Sequence, residues 1–593
     1  MRLNVLSVRF RPANLLPTAA LAVATMVAGL FVSSVGGITV GSLAMAQDSL
    51  PLGRESGSDA AIADSNDPVV VVSIASMNKL IQDINYVTAT AGQPQAGGMF
   101  AMMAGGFAAG LDMSRPIGIV VPIVDGAPEP IGMLPTMDVE MMLKRLEAQT
   151  GPVDKLDDGT LVVAAGPSLV YIRQVGSWAI IARQKELLDA APTDPMAALE
   201  GLGDKFTVSA RVNVGQIPED AREALIAQLR QGFEQAMAQQ QAGNPEAAEA
   251  TNEQALEQLE QLIRDLNQFM LGWNIDPTKK VVTLQTQLTA QDGSETAKMY
   301  AGQKVIPSNF ASVINDDHSM FYHAASSISP LMIDQSRASF DNARTMLQNT
   351  ITSSNDLGDD DKQQVLELSN AVMDLFMQTI EEGKFDIGVE SMADDGQIDI
   401  AAGMFVSDGN AAEELVKDLA KKLQNVGDAP TFEFDLGDYK GVTLHSVIID
   451  IPADQDELRQ TFGDQAIIKI GTAPKNVYLA LGKDSEKTLK AFIDKGTPND
   501  VPEDRPLGQM QIQFLPFLRF AQSLNANDVV AAMIDTLSQN TDTGYIAIEQ
   551  NVIKNGQFGF VEIGEGMLKA AGAAFREFQA ERMQQMQRGN GQF

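Results

Sequence analysis

Between residues 385 and 423 the apolar and polar positions alternate in two short runs and then change period. Phe385, Ile387 and Val389 alternate with Asp386, Gly388 and Glu390; after Asp395-Gly396, Ile398, Ile400, Ala402 and Met404 alternate again. Successive strand side chains point to opposite sides, and Asp-Gly accepts the positive backbone angles of a tight turn, so the pattern predicts a hairpin with one buried face. Asn410 with Glu413 three residues on reads as a capping box, and Leu415, Val416, Leu419 and Leu423 predict one apolar stripe on the helix it opens.

The same order of strand, helices, hairpin and helix is predicted four times, beginning near Val69, Phe206, Met320 and Met510. Alternating strands with turn signals at Asp158-Gly159 and Gly176 connect the first copy to the second, and a similar block from Thr431 connects the third to the fourth. The predicted fold class is α+β, with two related halves at 67–302 and 319–580. Each half is an antiparallel β-sheet packed by helices, built from a repeated strand-helix-helix-hairpin-helix unit. The stretch 303–318 reads as a linker, because its Pro, Gly and Asn residues interrupt every periodicity.

At the N-terminus Arg2, Arg9 and Arg11 precede an apolar run, and no charged residue follows until Asp48. Residues 1–46 therefore read as a secretory signal with Ala44-Met45-Ala46 at its cleavage site; an uncleaved membrane anchor is the alternative, because the run is long enough to span a bilayer. A flexible leader at 47–66 and a flexible tail at 581–593 are expected. The expected location is outside the cytoplasm, in the periplasm or cell envelope of a bacterium. The formal charge of −34 argues against nucleic acid as a partner, and the absence of cysteine excludes thiol catalysis and thiolate metal sites.

The segment Leu-Gly-Trp-Asn-Ile-Asp at 271–276, the helical run at 217–236 that precedes it, and the stretches at 84–92 and 107–121 carry a resemblance. Over roughly 67–301 the chain resembles a family of large exported bacterial proteins of unknown function. The resemblance implies export and an envelope setting, and it implies no activity.

Candidate chemistry is sparse. His318 and His323, with Asp316 and Asp317, offer metal-ligand types, but strand alternation points the two histidines apart, and they read as surface and strand histidines. His445 beside Ser446 has poor geometry for a nucleophilic pair. The acidic cluster at Asp359-Asp360-Asp361 reads as the negatively charged start of a helix. Gly482-Lys483 lacks the glycine spacing and hydroxyl of a phosphate loop. No metal, cofactor or catalytic residue is expected.

The most unusual composition lies between Met99 and Met113, inside a run of residues 84–111 that holds no charge. Met99, Phe100, Met102, Met103 and Phe107 form the candidate apolar binding surface, since methionine adapts to irregular apolar partners; packing of this helix against the sheet is the competing reading. The functional expectation is an exported, non-enzymatic envelope protein that binds a macromolecular partner or has a structural role. A carrier for an apolar, lipid-like ligand and a hydrolase of envelope polymer using paired carboxylates are the alternatives.

Overall fold

The computed structural model describes residues 65–124, 127–165, 168–240, 256–257, 259–353, 358–394, 396–423, 429–496, 505–540 and 542–590. The expected signal and most of the expected leader lie outside these residues. With 43% helix and 33% strand and a large antiparallel sheet, the fold is mixed α and β.

The first elements in chain order are β1 (Ser65–Ile74), α1 (Met77–Thr90), α2 (Pro94–Phe107), β2 (Ile117–Val124), β3 (Ala127–Pro128), β4 (Ile131–Pro135) and α3 (Val139–Thr150). Strands β5 (Val153–Lys155), β6 (Leu161–Ala165), β7 (Ser168–Val175) and β8 (Trp178–Ala182) follow, then β9 (Val208–Val212), α4 (Glu219–Gln240), β10 (Leu266–Asp276), β11 (Val281–Ala290) and α5 (Glu295–Ala301). Next come β12 (Met320–Ser327), α6 (Pro330–Ser353), α7 (Asp359–Glu381), β13 (Lys384–Asp394), β14 (Gln397–Phe405) and α8 (Gly409–Leu423). After them lie β15 (Thr431–Glu433), β16 (Asp438–Tyr439), β17 (Val442–Asp450), α9 (Asp456–Phe462), β18 (Gln465–Ala473), β19 (Asn476–Leu481) and α10 (Ser485–Lys495). The chain closes with β20 (Gly508–Gln513), α11 (Phe514–Leu524), α12 (Asp528–Ser538), β21 (Tyr545–Ile553), β22 (Gly556–Gly564) and α13 (Glu565–Asn590).

Two compact units divide these elements: one holds 302–508, and the other joins 65–240 and 256–301 to 509–590. Residues 509–580 thus belong with the N-terminal segments rather than with 319–508. The cause is a strand pairing: β22 lies antiparallel to β11, from Val281 opposite Gly564 to Thr289 opposite Gly556. The sheet of this unit runs β5-β6-β7-β8-β4-β2-β1-β9-β10-β11-β22-β21, antiparallel throughout. Val71, Val120, Ile131, Met133, Ile180 and Leu202 form the centre of its largest core.

In the 302–508 unit the sheet runs β12-β13-β14-β19-β18-β17, with β15 and β16 both paired to β17. The hairpin β13–β14 has two covered faces rather than the expected one. Phe385 packs with Phe340, Met373 and Ile380 of α6 and α7. On the opposite side Asp386, Gly388 and Glu390 are also buried, Gly388 beneath the Phe310 side chain. The stretch 303–318, expected as a linker, supplies this second cover: Ser308, Phe310, Val313 and His318 are all buried.

Helix α8 also departs from expectation at its start. Asp408 caps it, its Oδ1 accepting from the backbone N–H groups of Asn410 (2.9 Å) and Ala411 (3.2 Å). A carboxylate here faces the positive end of the helix dipole as well as its open N–H groups. Glu413 is left free to turn toward Lys417 and Thr472. At the C-terminus, α13 continues through 581–590, where a flexible tail is expected.

Candidate functional site

Helix α2 inverts the usual arrangement of small and large side chains. Its sequence, PQAGGMFAMMAGGF, starts with Pro94, which suits the first helical turn because it needs no hydrogen-bond partner there. Gly97 and Ala104, with Ala108 just beyond the helix, are buried. A Cβ at Gly97 would stand 2.4 Å from Thr88 Oγ1 and 2.6 Å from Asn85 Oδ1, so glycine is what lets α2 lie close on α1. The large residues point away: Met99 is 59% exposed, Met102 74%, Met103 54% and Phe107 68%. Phe100 is half-buried.

Residues 99, 102, 103 and 107 share one face, because positions three, four and eight apart align on a helix. Such a stripe usually faces the core. Here the core side is taken by small residues, and the apolar stripe faces solvent. Full burial of side chains of this size is worth about 1.5–3 kcal/mol each, so an occupant of this face has a substantial apolar gain available.

The surroundings extend the apolar surface. A Cβ at Gly110 would lie 2.9 Å from Met142 of α3, which places the end of α2 against α3, and Met137 and Met141 there are 78% and 51% exposed. At the other end Arg576 of α13 donates to the Ala91 carbonyl (2.9 Å), and Phe575 and Phe578 beside it are exposed.

Two polar clusters lie in the 302–508 unit, each around a buried strand histidine, His323 or His445; His318, expected at the surface, is buried as well. In the first cluster, Glu413, Asp435 and His445 bring ligand-type atoms within 4.8 Å of one another. Lys417 Nζ, however, lies 2.7 Å from Glu413 Oε1 and 3.1 Å from Asp435 Oδ1. The ammonium stands where a cation would be attracted, and its hydrogen bond holds the Glu413 carboxyl below its ordinary range. His445 is fixed at both nitrogens: the Asp435 N–H donates to Nδ1 (3.3 Å) and Nε2 contacts Thr472 Oγ1 (3.0 Å). Burial lowers its pKa. These contacts make the group a structural tie between α8, β17 and β18.

The second cluster joins Ser308, His323 and Asp386. Ser308 Oγ donates to Asp386 Oδ1 (2.5 Å), and it accepts from the Phe310 N–H (2.9 Å). Since the one hydroxyl proton points at the carboxylate, the 2.9 Å contact with His323 is a donation from Nε2–H to Ser308. A nucleophilic serine needs the reverse, a histidine lone pair ready to take its proton. His323 is 0% exposed, and burial together with the nearby Arg505 charge pushes its pKa down to about 4. Burial likewise raises the pKa of Asp386.

Sequence spacing does not reveal either cluster, because the partners come from segments up to 78 residues apart. The available signal is a polar residue within an apolar strand, as His445 is between Leu444 and Val447; Asp386 gives none, since it falls on a polar position of its strand.

Two surface openings, of about 350 and 500 Å³, lie away from α2 and from both clusters; Asn267, Gln291 and Asn555 help line one, and Tyr171 and Arg183 the other. Among the described residues no helix is long and apolar enough to cross a membrane. No protein-family model matches the chain, and no curated protein matches it. A solved structure titled "Structure of crystal form IV of TP0453" is similar to part of it, with 6% identity and a TM-score of 0.20 over 37% of this chain and 76% of that one. A likeness of that size bears on neither fold nor function. What fold and site define is a cysteine-free mixed α and β protein that, among the described residues, exposes a group of large apolar side chains on one helix face.

Proposed function

We propose that this is an exported, non-enzymatic envelope protein that works by binding, and that the outward face of α2 is its binding surface. The observation that carries the reading is the exposure of Met99, Met102, Met103 and Phe107 on a helix whose buried side is made of glycine and alanine. Large apolar residues kept in water on one contiguous face mark a place that another molecule covers. Two contacts support a binding role over a catalytic one: His445 is held at both ring nitrogens, and Ser308 gives its proton to Asp386 rather than to His323. The N-terminal apolar run and the family resemblance support the envelope setting.

The architecture belongs to the same proposal. Strand, two helices, two antiparallel strands and a helix follow one another from β1, β12 and β20, and from β9 with 259–265 as the second helix. We read these as four copies of one unit in two related halves. Only the first copy carries the methionine-rich second helix, so the binding face is a local elaboration of a shared scaffold.

A photo-reactive methionine analogue at position 103, in intact cells, is expected to form a covalent adduct well above that formed from exposed Met392 on β13. Equal yields at the two positions would remove the reading.

A further inference from the structure

The binding face is free of charge in a chain that is otherwise strongly acidic. No Asp, Glu, Lys or Arg occurs from residue 84 to residue 111, against a formal charge of −34 for the whole. Protein partners are usually held by a rim of matched hydrogen bonds and charges around an apolar centre. On α2 the outward side chains are methionine, phenylalanine, alanine and glutamine, with glycines at 98, 105 and 106 whose surroundings are open. A surface that asks for no matched polar group is the acyl boundary of a bilayer.

Resting on the binding reading above, we infer that α2 docks on a lipid surface, lying along the interface with Met99, Met102, Met103 and Phe107 turned into the acyl boundary. Three features fit this occupant. A helix of fourteen residues is about 21 Å long, enough to lie flat in the interface and too short to cross it. Met137, which precedes α3, Met141 of α3, and Phe575 and Phe578 of α13 are further exposed apolar side chains on the elements next to either end of α2. At those borders stand exposed cations that can meet lipid phosphates: Lys144 and Arg145 on α3, and Arg576 and Arg582 on α13. Carboxylates are present there too: Glu140, tied to Lys155 at 2.6 Å, Glu147, Glu577 and Glu581. The borders are therefore mixed, and the apolar face carries the attachment.

The test uses the full-length chain with Phe107→Trp and vesicles of phosphatidylcholine. Of the native tryptophans, Trp178 is buried and Trp273 half-buried, so the added emission reports on α2. Vesicles are expected to shift that emission to the blue, and brominated acyl chains to quench it. Adding Met102→Asp and Met103→Asp should raise the lipid needed by about tenfold or more, since interfacial binding scales with the apolar area inserted. Both positions are exposed, and a Met102→Ser, Met103→Ser pair gives a second variant that removes apolar surface without adding charge. Emission that ignores the vesicles, or that responds equally in the doubly substituted chains, overturns the inference. If vesicles have no effect while position 103 cross-links to a protein in cells, the binding reading stands and the lipid surface is excluded.

Discussion

Replacing Phe310 by alanine should destabilise the 302–508 unit by about 3–5 kcal/mol, the usual cost of deleting a buried phenyl ring and leaving a cavity. Phe310 is 1% exposed and packs with Tyr478, whose ring centroid is 5.9 Å away, and with Phe492 at 6.1 Å. Glycines make room for it on two neighbouring strands. A Cβ at Gly388 would come within 2.5 Å of the Phe310 side chain, and one at Gly403 within 2.3 Å. Collapse around the missing ring is limited, because the sheet backbone on that side is fixed by its pairing. Chemical denaturation followed by circular dichroism measures the loss; a cost below about 1 kcal/mol would mean that Phe310 is not the centre of that core.

The second large effect is on pH dependence. His323 has a folded pKa of about 4 against an ordinary 6.5, so between those values the unfolded chain binds the proton and the native chain does not. Stability therefore falls as pH drops from about 6.5 to about 4 and levels off below, and the difference in pKa corresponds to about 3 kcal/mol. Asp386 faces the same cluster with a raised pKa, so the native state takes up its proton early on acidification and offsets part of the loss. The Arg505 charge opposes protonation of His323 throughout. In His323→Gln the Asp386 contribution remains and that of His323 disappears. The expected result is a visibly smaller loss of unfolding free energy between pH 7 and pH 4.5 in the variant; parallel curves would place the proton uptake elsewhere.

Both effects arise where the chain pattern misleads. Alternation identifies the strands, and the turns at Gly159, Gly176 and Asn555, all with positive φ, are where Asp-Gly, Gly and Asn-Gly signals predict them. Those signals are local, since each needs only neighbouring residues. Alternation also assigns Asp386, Gly388 and Glu390 to the solvent side of β13, and this fails because a segment some 75 residues earlier folds over them. Phe310 sits between Asn309 and Ala311 in a stretch that looks like a linker, and nothing nearby in sequence marks the two glycines waiting for its ring. The partition of the chain is hidden for the same reason: β11 and β22 pair across more than 250 residues, and no short-range pattern encodes that register. On α2 the spacing of Met99, Met102, Met103 and Phe107 predicts a common face but not its direction. Glycine and alanine opposite them suit close packing equally well, and the contact of Gly97 with α1 decides which side is buried.

The proposal that this face is covered in its native setting is tested most directly by methionine oxidation. Peroxide treatment followed by mass spectrometry should modify Met99, Met102 and Met103 of the purified protein at rates comparable to exposed Met392. In isolated cell envelopes the three should slow several-fold while Met392 does not. The same ratio of rates in both preparations would show that α2 meets nothing, and would contradict the binding function proposed for it.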